Sequence, residues 1–215
     1  QKFLYKVSLQ KDDWSLLELK MLEVASRLFI AKGVKNVTID EIALQLKMSK
    51  KTIYQHFHTK SLLVNSCVSQ VLKMKEQKIL EVLHLQLNPI AEMIELGKLN
   101  ENTFRMFSKN TLKDLRSFYP EAWTLIELFK ENVIFPQLLT NLNTGIQKGL
   151  YRDNIQANIV VYMYIGLLDS AIMQHSVLKT ETSLDEVYKE HLKMHLYSIC
   201  SETGRNKKKK SLNNF

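Results

Sequence analysis

Between Thr38 and Lys60 the chain reads TIDEIALQLKMSKKTIYQHFHTK, and this stretch leaves it few ways to fold. Ile39, Ile42, Ala43 and Leu46 recur at three and four residues, the spacing that gathers side chains on one face of a helix. Lys47 and Met48 interrupt the pattern. Ser49, a preferred N-cap residue, then opens a second short helix carrying Thr52, Ile53, Tyr54 and Phe57. Thr38-Ile-Asp-Glu41 has the form of a capping box, in which the Thr38 hydroxyl accepts from the Glu41 amide and the Glu41 carboxylate reaches back. The outward residues of the second helix are Lys, Thr, Tyr, Gln and His. A buried Ile and Leu face, backed by one that can meet phosphates and base edges, is what a DNA-reading helix requires. Double-stranded DNA is the first partner these residues imply.

The flanking sequence extends the pattern. From Trp14 to Lys32 the residues Leu17, Met21, Val24, Ala25, Leu28 and Phe29 predict a first helix, stopped by Gly33, where positive φ is easy. Thr59 or Ser61 can cap a fourth helix running through Leu62, Leu63, Cys67 and Val71 toward Leu83, before Asn88-Pro89 breaks it. Further helices are expected at 90–97, 101–118, 121–148, 155–178 and 182–202. Pro120 starts one of these and Pro136 should kink it, while Gly149 to Asn154 forms a turn. Residues Ile155 to Leu178 are apolar nearly all round, so that helix must be covered on more than one side, within a core or by a second subunit.

Composition agrees with an all-α chain: among 215 residues there are six Gly and three Pro, too few turn formers for a many-stranded sheet. The net charge of +8 is uneven. Residues 1–62 hold eleven Lys and Arg against six acids, residues 63–204 hold fourteen against sixteen, and 205–215 add five basic residues and no acid. A basic head on a near-neutral body suits a nucleic-acid-binding module joined to a separate second domain. Cys67 and Cys200 fit no metal or disulfide spacing and are expected to be reduced, structural thiols. No run of eighteen apolar residues and no signal-peptide core is apparent, so a soluble, cytoplasmic protein without membrane association is expected.

The segment from FIAKG through TIDEIALQLKMSKKTIYQHFHTKSLL resembles the amino-terminal helix-turn-helix of the TetR family of bacterial transcriptional regulators. The family pattern is met by Thr38, Ile42, Ala43, Leu46, Met48, Ser49, Thr52, Ile53, Tyr54, Phe57, Lys60 and Leu63. Gly149-Leu-Tyr-Arg152 resembles a later family segment more weakly. Lys47 and Lys51 stand where the family often has glycine. Lys47 must therefore accept the backbone that the turn imposes, αL included, at a cost of about 1 kcal/mol.

The resemblance implies a small three-helix DNA-binding domain at 13–60, a larger helical effector-binding and dimerisation domain at 61–204, and a basic, unstructured tail at 205–215. It implies that Thr38, Ser49, Lys51, Tyr54, His56 and Lys60 hold phosphates, helped by the amino termini of the second and fourth helices. Lys50, Thr52 and Gln55 would read bases, since Gln can pair with adenine and Lys can reach guanine. It further implies a homodimer, paired through the last two long helices (155–178 and 182–202), on a palindromic operator. The role would be that of a repressor released by a small molecule. Met93, Phe104, Met106, Phe107, Tyr119, Trp123, Phe129, Tyr162 and Met163 are candidates to line a pocket for a hydrophobic effector. The alternative is an architectural protein that binds DNA without sequence preference or effector.

Catalytic signatures are missing. His191 and His195 lie at i and i+4 but lack the Glu of the zinc-protease motif and an evident third ligand, which predicts a surface or interface pair rather than a metal site. There is no Gly-rich phosphate loop or nucleophile elbow. No enzyme activity, metal or cofactor is expected.

Overall fold

The computed structural model describes residues 14–106, 110–175 and 181–206, with side chains described outside 101–106 and residue 175. Its elements are α1 (Leu16–Lys32), α2 (Ile39–Leu46), α3 (Lys50–His56), α4 (Lys60–His84), α5 (Pro89–Met106), α6 (Thr111–Phe118), α7 (Pro120–Phe129), a π turn (Lys130–Ile134), α8 (Phe135–Gln147), α9 (Ala157–His175) and α10 (Leu184–Ile199). The fold is all-helical. Among the described residues, extended pairing is confined to one antiparallel bridge between Tyr151 and Cys200.

Two compact units form. One takes the residues up to Lys75 together with Met106–Asn132, and the other takes Glu76–Arg105 and the residues from Val133 onward. The first unit therefore gathers more than the amino-terminal helices. Its core joins Met21, Leu22, Ala25, Ile42, Ile53 and Phe57 to Leu115 of α6 and Ala122 of α7. Thr111 at the start of α6 donates from its hydroxyl to the carbonyls of Phe29 and Ile30 at 3.1 and 3.0 Å. The buried Asp114 carboxylate accepts from the Lys35 amide at 2.8 Å. The Phe29 carbonyl already accepts from the Gly33 amide, so these bonds add a second donor there and satisfy the Ile30 carbonyl and the Lys35 amide at the end of α1 and in the following turn.

The second unit is built around Ile90, Met93, Leu142, Tyr151, Tyr188, Leu192 and Leu196. Tyr151 donates to Asn141 Oδ1 at 3.0 Å, and the Asn141 amide donates to the Pro89 carbonyl and to Glu92. Gly145 permits this packing, since a Cβ there would lie 2.0 Å from the Tyr151 ring. The same unit holds His191 and His195, which are not a surface pair. The Tyr164 ring lies 4.4 Å from the His191 ring and 4.3 Å from that of His195. His195 is only 8% exposed, and both Nε2 atoms lack a hydrogen-bond partner. Burial pushes the His195 imidazole down to about 4, with His191 contributing repulsion. Among the described residues no three His, Cys, Asp or Glu side chains gather as a metal site.

Several element boundaries differ from the pattern-based expectation, each for a local reason. Helix α1 starts at Leu16 because Ser15 and Glu18 form a complete capping box. The break expected between 97 and 101 does not occur, and α5 runs through Gly97 to Met106. It begins at Pro89 because the Asn88 side chain accepts from the amides of Ile90 and Ala91. The helix expected over 121–148 is interrupted by the π turn just ahead of Pro136. Proline offers no amide to the carbonyl four residues back and its ring crowds that carbonyl, so the wider π register absorbs the conflict. At Thr38 the hydroxyl does cap α2, but Glu41 pairs with the Lys32 ammonium instead of reaching back.

Helix α9 is apolar over Ala157–Gln174, with a mean hydropathy of 1.3 that reaches the length and composition of a membrane span by those measures alone. Asn158, Asp169 and Ser170 interrupt it, so no run of eighteen consecutive apolar residues forms, as expected.

Candidate nucleic-acid interface

The turn between α2 and α3 sets the geometry of the DNA-reading face. Lys47 sits at φ 54°, ψ 42°, the left-handed conformation that glycine takes more easily. From there the Lys47 amide bonds to Leu44 O at 3.1 Å and the Met48 amide to Ala43 O at 3.0 Å, closing the end of α2. Met48 folds back onto the core of the unit. Ser49 then caps α3, accepting from the Thr52 amide at 3.0 Å and meeting the Thr52 hydroxyl at 2.8 Å. Ile53 and Phe57 are buried and anchor α3.

That anchoring decides which side chains point out. Lys51 and Gln55 are exposed, and Thr52 stands half-exposed in the same short helix. Lys50 is exposed but bonds Asp40 of α2 at 2.9 Å, which raises its pKa. Tyr54 packs partly against the core. The remaining residues expected to hold phosphates are engaged by the protein itself. Ser49 and Thr38 are helix caps. His56 Nδ1 lies 3.4 Å from the buried Glu18 carboxylate. Lys60 donates to the Val34 carbonyl at 2.7 Å and lies over the Phe29 ring, and partial burial lowers its pKa. Lys60 thus ties the start of α4 to the turn that Asp114 grips from α6. Thr59 caps α4 by accepting from the Leu62 amide at 3.1 Å. The first turn of α4 contains no acid, whereas that of α2 contains Asp40 and Glu41. The α4 terminus is accordingly the better of the two for an anion.

Sequence spacing did not reveal Asp40, Glu18 or Asp114 as partners. Each acts across a turn or across more than thirty residues, where no periodic pattern connects them, Asp40 apart, which meets Lys50 only because the turn folds α3 back.

The residues proposed for an effector pocket are divided between the two units. Met93 is buried in the second unit, whereas Tyr119, Trp123 and Phe129 belong to the first. Tyr162 and Met163 stand on the surface at 74% and 55% exposure. The side chains of Phe104 and Met106, and all of Phe107, lie outside the described residues.

An all-helical chain with a capped helix–turn–helix and a polar α3 face has the architecture of a helix-turn-helix transcriptional regulator. Residues 21–67 match the family of bacterial regulatory proteins, tetR family. The chain is 26% identical to the uncharacterized HTH-type transcriptional regulator YvaF of Bacillus subtilis (strain 168), over 80% of this chain and 89% of that one. Its fold is similar to a TetR family transcriptional regulator of Agrobacterium tumefaciens, with TM-score 0.70 and 16% identity over 86% of this chain and 97% of that one. It is also similar to the ketosteroid transcriptional regulator KstR2 of Mycobacterium tuberculosis, with TM-score 0.61 and 17% identity over 88% and 98% of the two chains. Residues 21–67 thus carry the helix-turn-helix DNA-binding domain of the tetR family of bacterial regulatory proteins, and the whole chain is similar in fold to regulators of that family.

Proposed function

We propose that this regulator is a repressor that binds a palindromic operator as a homodimer and is released by a small-molecule effector. The observation that carries the DNA side is the α3 face: Lys51, Thr52 and Gln55 point outward from a helix locked by Ile53 and Phe57. Gln55 and Thr52 are the base readers, with Lys50 steered toward them by Asp40. Lys51, Tyr54 and the α4 amino terminus hold phosphates. Thr38, Ser49, His56 and Lys60 serve first to hold the head in shape and reach phosphates from there.

The dimer reading rests on α9 and α10. Ile159, Tyr162, Met163 and Leu167 form an exposed stripe on α9, and Met194 and Tyr197 one on α10. Gly166 and Ser170 sit within the α9 stripe, and a Cβ at Gly166 would meet nothing. An uncharged apolar surface with a small-residue centre suits a second helix better than solvent. A single short recognition helix makes few base contacts, so a second copy placed one helical turn of DNA away, about 34–36 Å, gives the needed specificity. Release then requires an effector that binds the non-operator geometry more tightly than the operator geometry.

Selection of bound sequences from random DNA tests this reading. The expected product is a palindrome with half-sites one turn apart, bound at least about a thousandfold more tightly than random DNA. A preference of only ~10-fold would favour an architectural role instead.

A further inference from the structure

The buried Glu18 carboxylate is shared between the start of α1 and the end of α3. Its Oε2 accepts from the Ser15 amide and from the Ser15 hydroxyl, both at 2.8 Å. Its Oε1 meets His56 Nδ1 at 3.4 Å, with the carboxylate 7% and the imidazole 29% exposed. Beside them the Trp14 and Phe57 rings pack with centroids 5.6 Å apart and close the same seam. A carboxylate that already collects two donors acts as an acceptor, so the proton of a neutral His56 stands on Nδ1. Nε2, across the ring, is then a bare lone pair, and it is not one of the enclosed side-chain atoms. Phosphate oxygens are acceptors too. A neutral His56 held in this tautomer therefore opposes the phosphate contact expected of it, and only a second proton, on Nε2, makes the ring a donor there. The other charges around α3 are matched elsewhere. Asp40 and Glu41 of α2 pair with Lys50 and Lys32, and the Lys60 ammonium of α4 turns to the Val34 carbonyl. His56 also ends α3, where the free carbonyls favour a cation.

We propose that Glu18 is a positioning residue that makes the phosphate contact of His56 conditional on a proton, so that each head takes up one proton from solvent as it binds its operator. This rests on the DNA reading above and adds a regulation to it: the bound head holds an imidazolium between a carboxylate and a phosphate. Affinity is then greatest in mild acid and falls as pH rises through the neutral range, where imidazoles ordinarily titrate. Glu18→Gln separates charge from shape. Glutamine at this position still completes the capping box with Ser15. Its side-chain amide can donate to Nδ1, which moves the proton of the neutral ring to Nε2, and the phosphate contact then needs no proton from solvent.

The affinity of the full chain for its selected operator is measured by fluorescence anisotropy at fixed ionic strength, between about pH 6 and 8. The dissociation constant should rise with pH, approaching about tenfold per pH unit for each head that takes up a proton. Binding heats in two buffers of unlike ionisation enthalpy should count the same protons with no substitution made. Glu18→Gln should flatten the pH profile and bind more tightly than the native chain at its alkaline end. His56→Gln should flatten it as well, whereas His58→Gln, at an exposed imidazole nearby, should leave it in place. A flat native profile without buffer dependence, on an operator that is still selected, would overturn the inference and leave the DNA reading standing. So would a full slope in Glu18→Gln, or its loss in His58→Gln. Should Glu18→Gln not fold, the buffer heats of the native chain against those of His56→Gln still decide whether the proton is taken up there. Failure to select any sequence at any pH would remove both readings.

Discussion

The outward faces of α3 and α9 both leave side chains open to solvent, yet they do so with opposite chemistry. On α3 the exposed residues are Lys50, Lys51 and Gln55, and on α9 they are Ile159, Tyr162, Met163 and Leu167. The α3 face offers cations and amide groups that retain their hydration until a phosphate or a base edge replaces it. The α9 face offers apolar area that water covers at a cost of roughly 25 cal/mol per Å². Exposure alone does not identify a partner. The chemistry of the exposed atoms does, and here it separates a nucleic-acid surface from a protein one.

The sharpest way to break this comparison is to charge the apolar face. Tyr162→Lys with Leu167→Lys should leave helical content unchanged and convert the protein to a monomer in sedimentation. Operator affinity should fall by on the order of 10²-fold or more, because the second head no longer binds at high effective concentration. Retained dimers would show that α9 is not the pairing surface.

The next effect concerns acid stability of the second unit. The His195 pKa is about 4 in the folded chain against 6.5 as its ordinary value. Between those values the unfolded chain binds a proton that the folded chain refuses, so stability falls as pH drops from 6.5 toward 4. The loss is on the order of 3 kcal/mol. Urea midpoints taken across that range should slope in the native protein and flatten in His195→Gln. Equal slopes would mean that other groups govern the acid limb.

On the polar face, Gln55→Ala should cost about 1–3 kcal/mol of discrimination at one base position in each half-site and little on other sequences. Sequence selection with the variant measures this directly, and an unchanged site would remove Gln55 from the readout. Lys60→Ala should behave differently. Because its ammonium holds the Val34 carbonyl, the variant should lose thermal stability along with affinity for every DNA sequence, and a loss of affinity at unchanged melting temperature would return Lys60 to a pure phosphate role.

The smallest effect belongs to the turn. Lys47→Gly should stabilise the head by about 1 kcal/mol through relief of the left-handed backbone, read as a melting-temperature rise of a few degrees. A drop would show that the lysine side chain contributes more than its backbone costs.

Much of the first unit was legible because its signals are local. Caps at Thr38 and Ser49, the Gly33 stop, the αL strain at Lys47 and the three-and-four spacing of Ile42, Leu46, Ile53 and Phe57 all follow from residues within one or two turns of each other. Even there the reciprocal cap of Glu41 failed, because Lys32 of the preceding helix competes for the carboxylate. The candidate DNA face was legible as a set of residues but not in its division of labour. His56 and Lys60 look like their neighbours in sequence, and only the positions of Glu18 and Val34 turn them inward. The pocket residues were chosen by type alone, and type does not say whether an aromatic ring faces a core, as Phe129 does, or solvent, as Tyr162 does.

The amino-acid sequence by itself determined the helical class and the tetR-type helix-turn-helix at its amino-terminal end, since each depends on hydrogen bonds and periodicities that close within a few residues. Tertiary structure alone decided that α6 and α7 complete the first unit through Thr111 and Asp114, and that His191 and His195 face the Tyr164 ring. Those relations join residues tens of positions apart, and they exist only once the packing of one helix on another has chosen which face of each is turned inward.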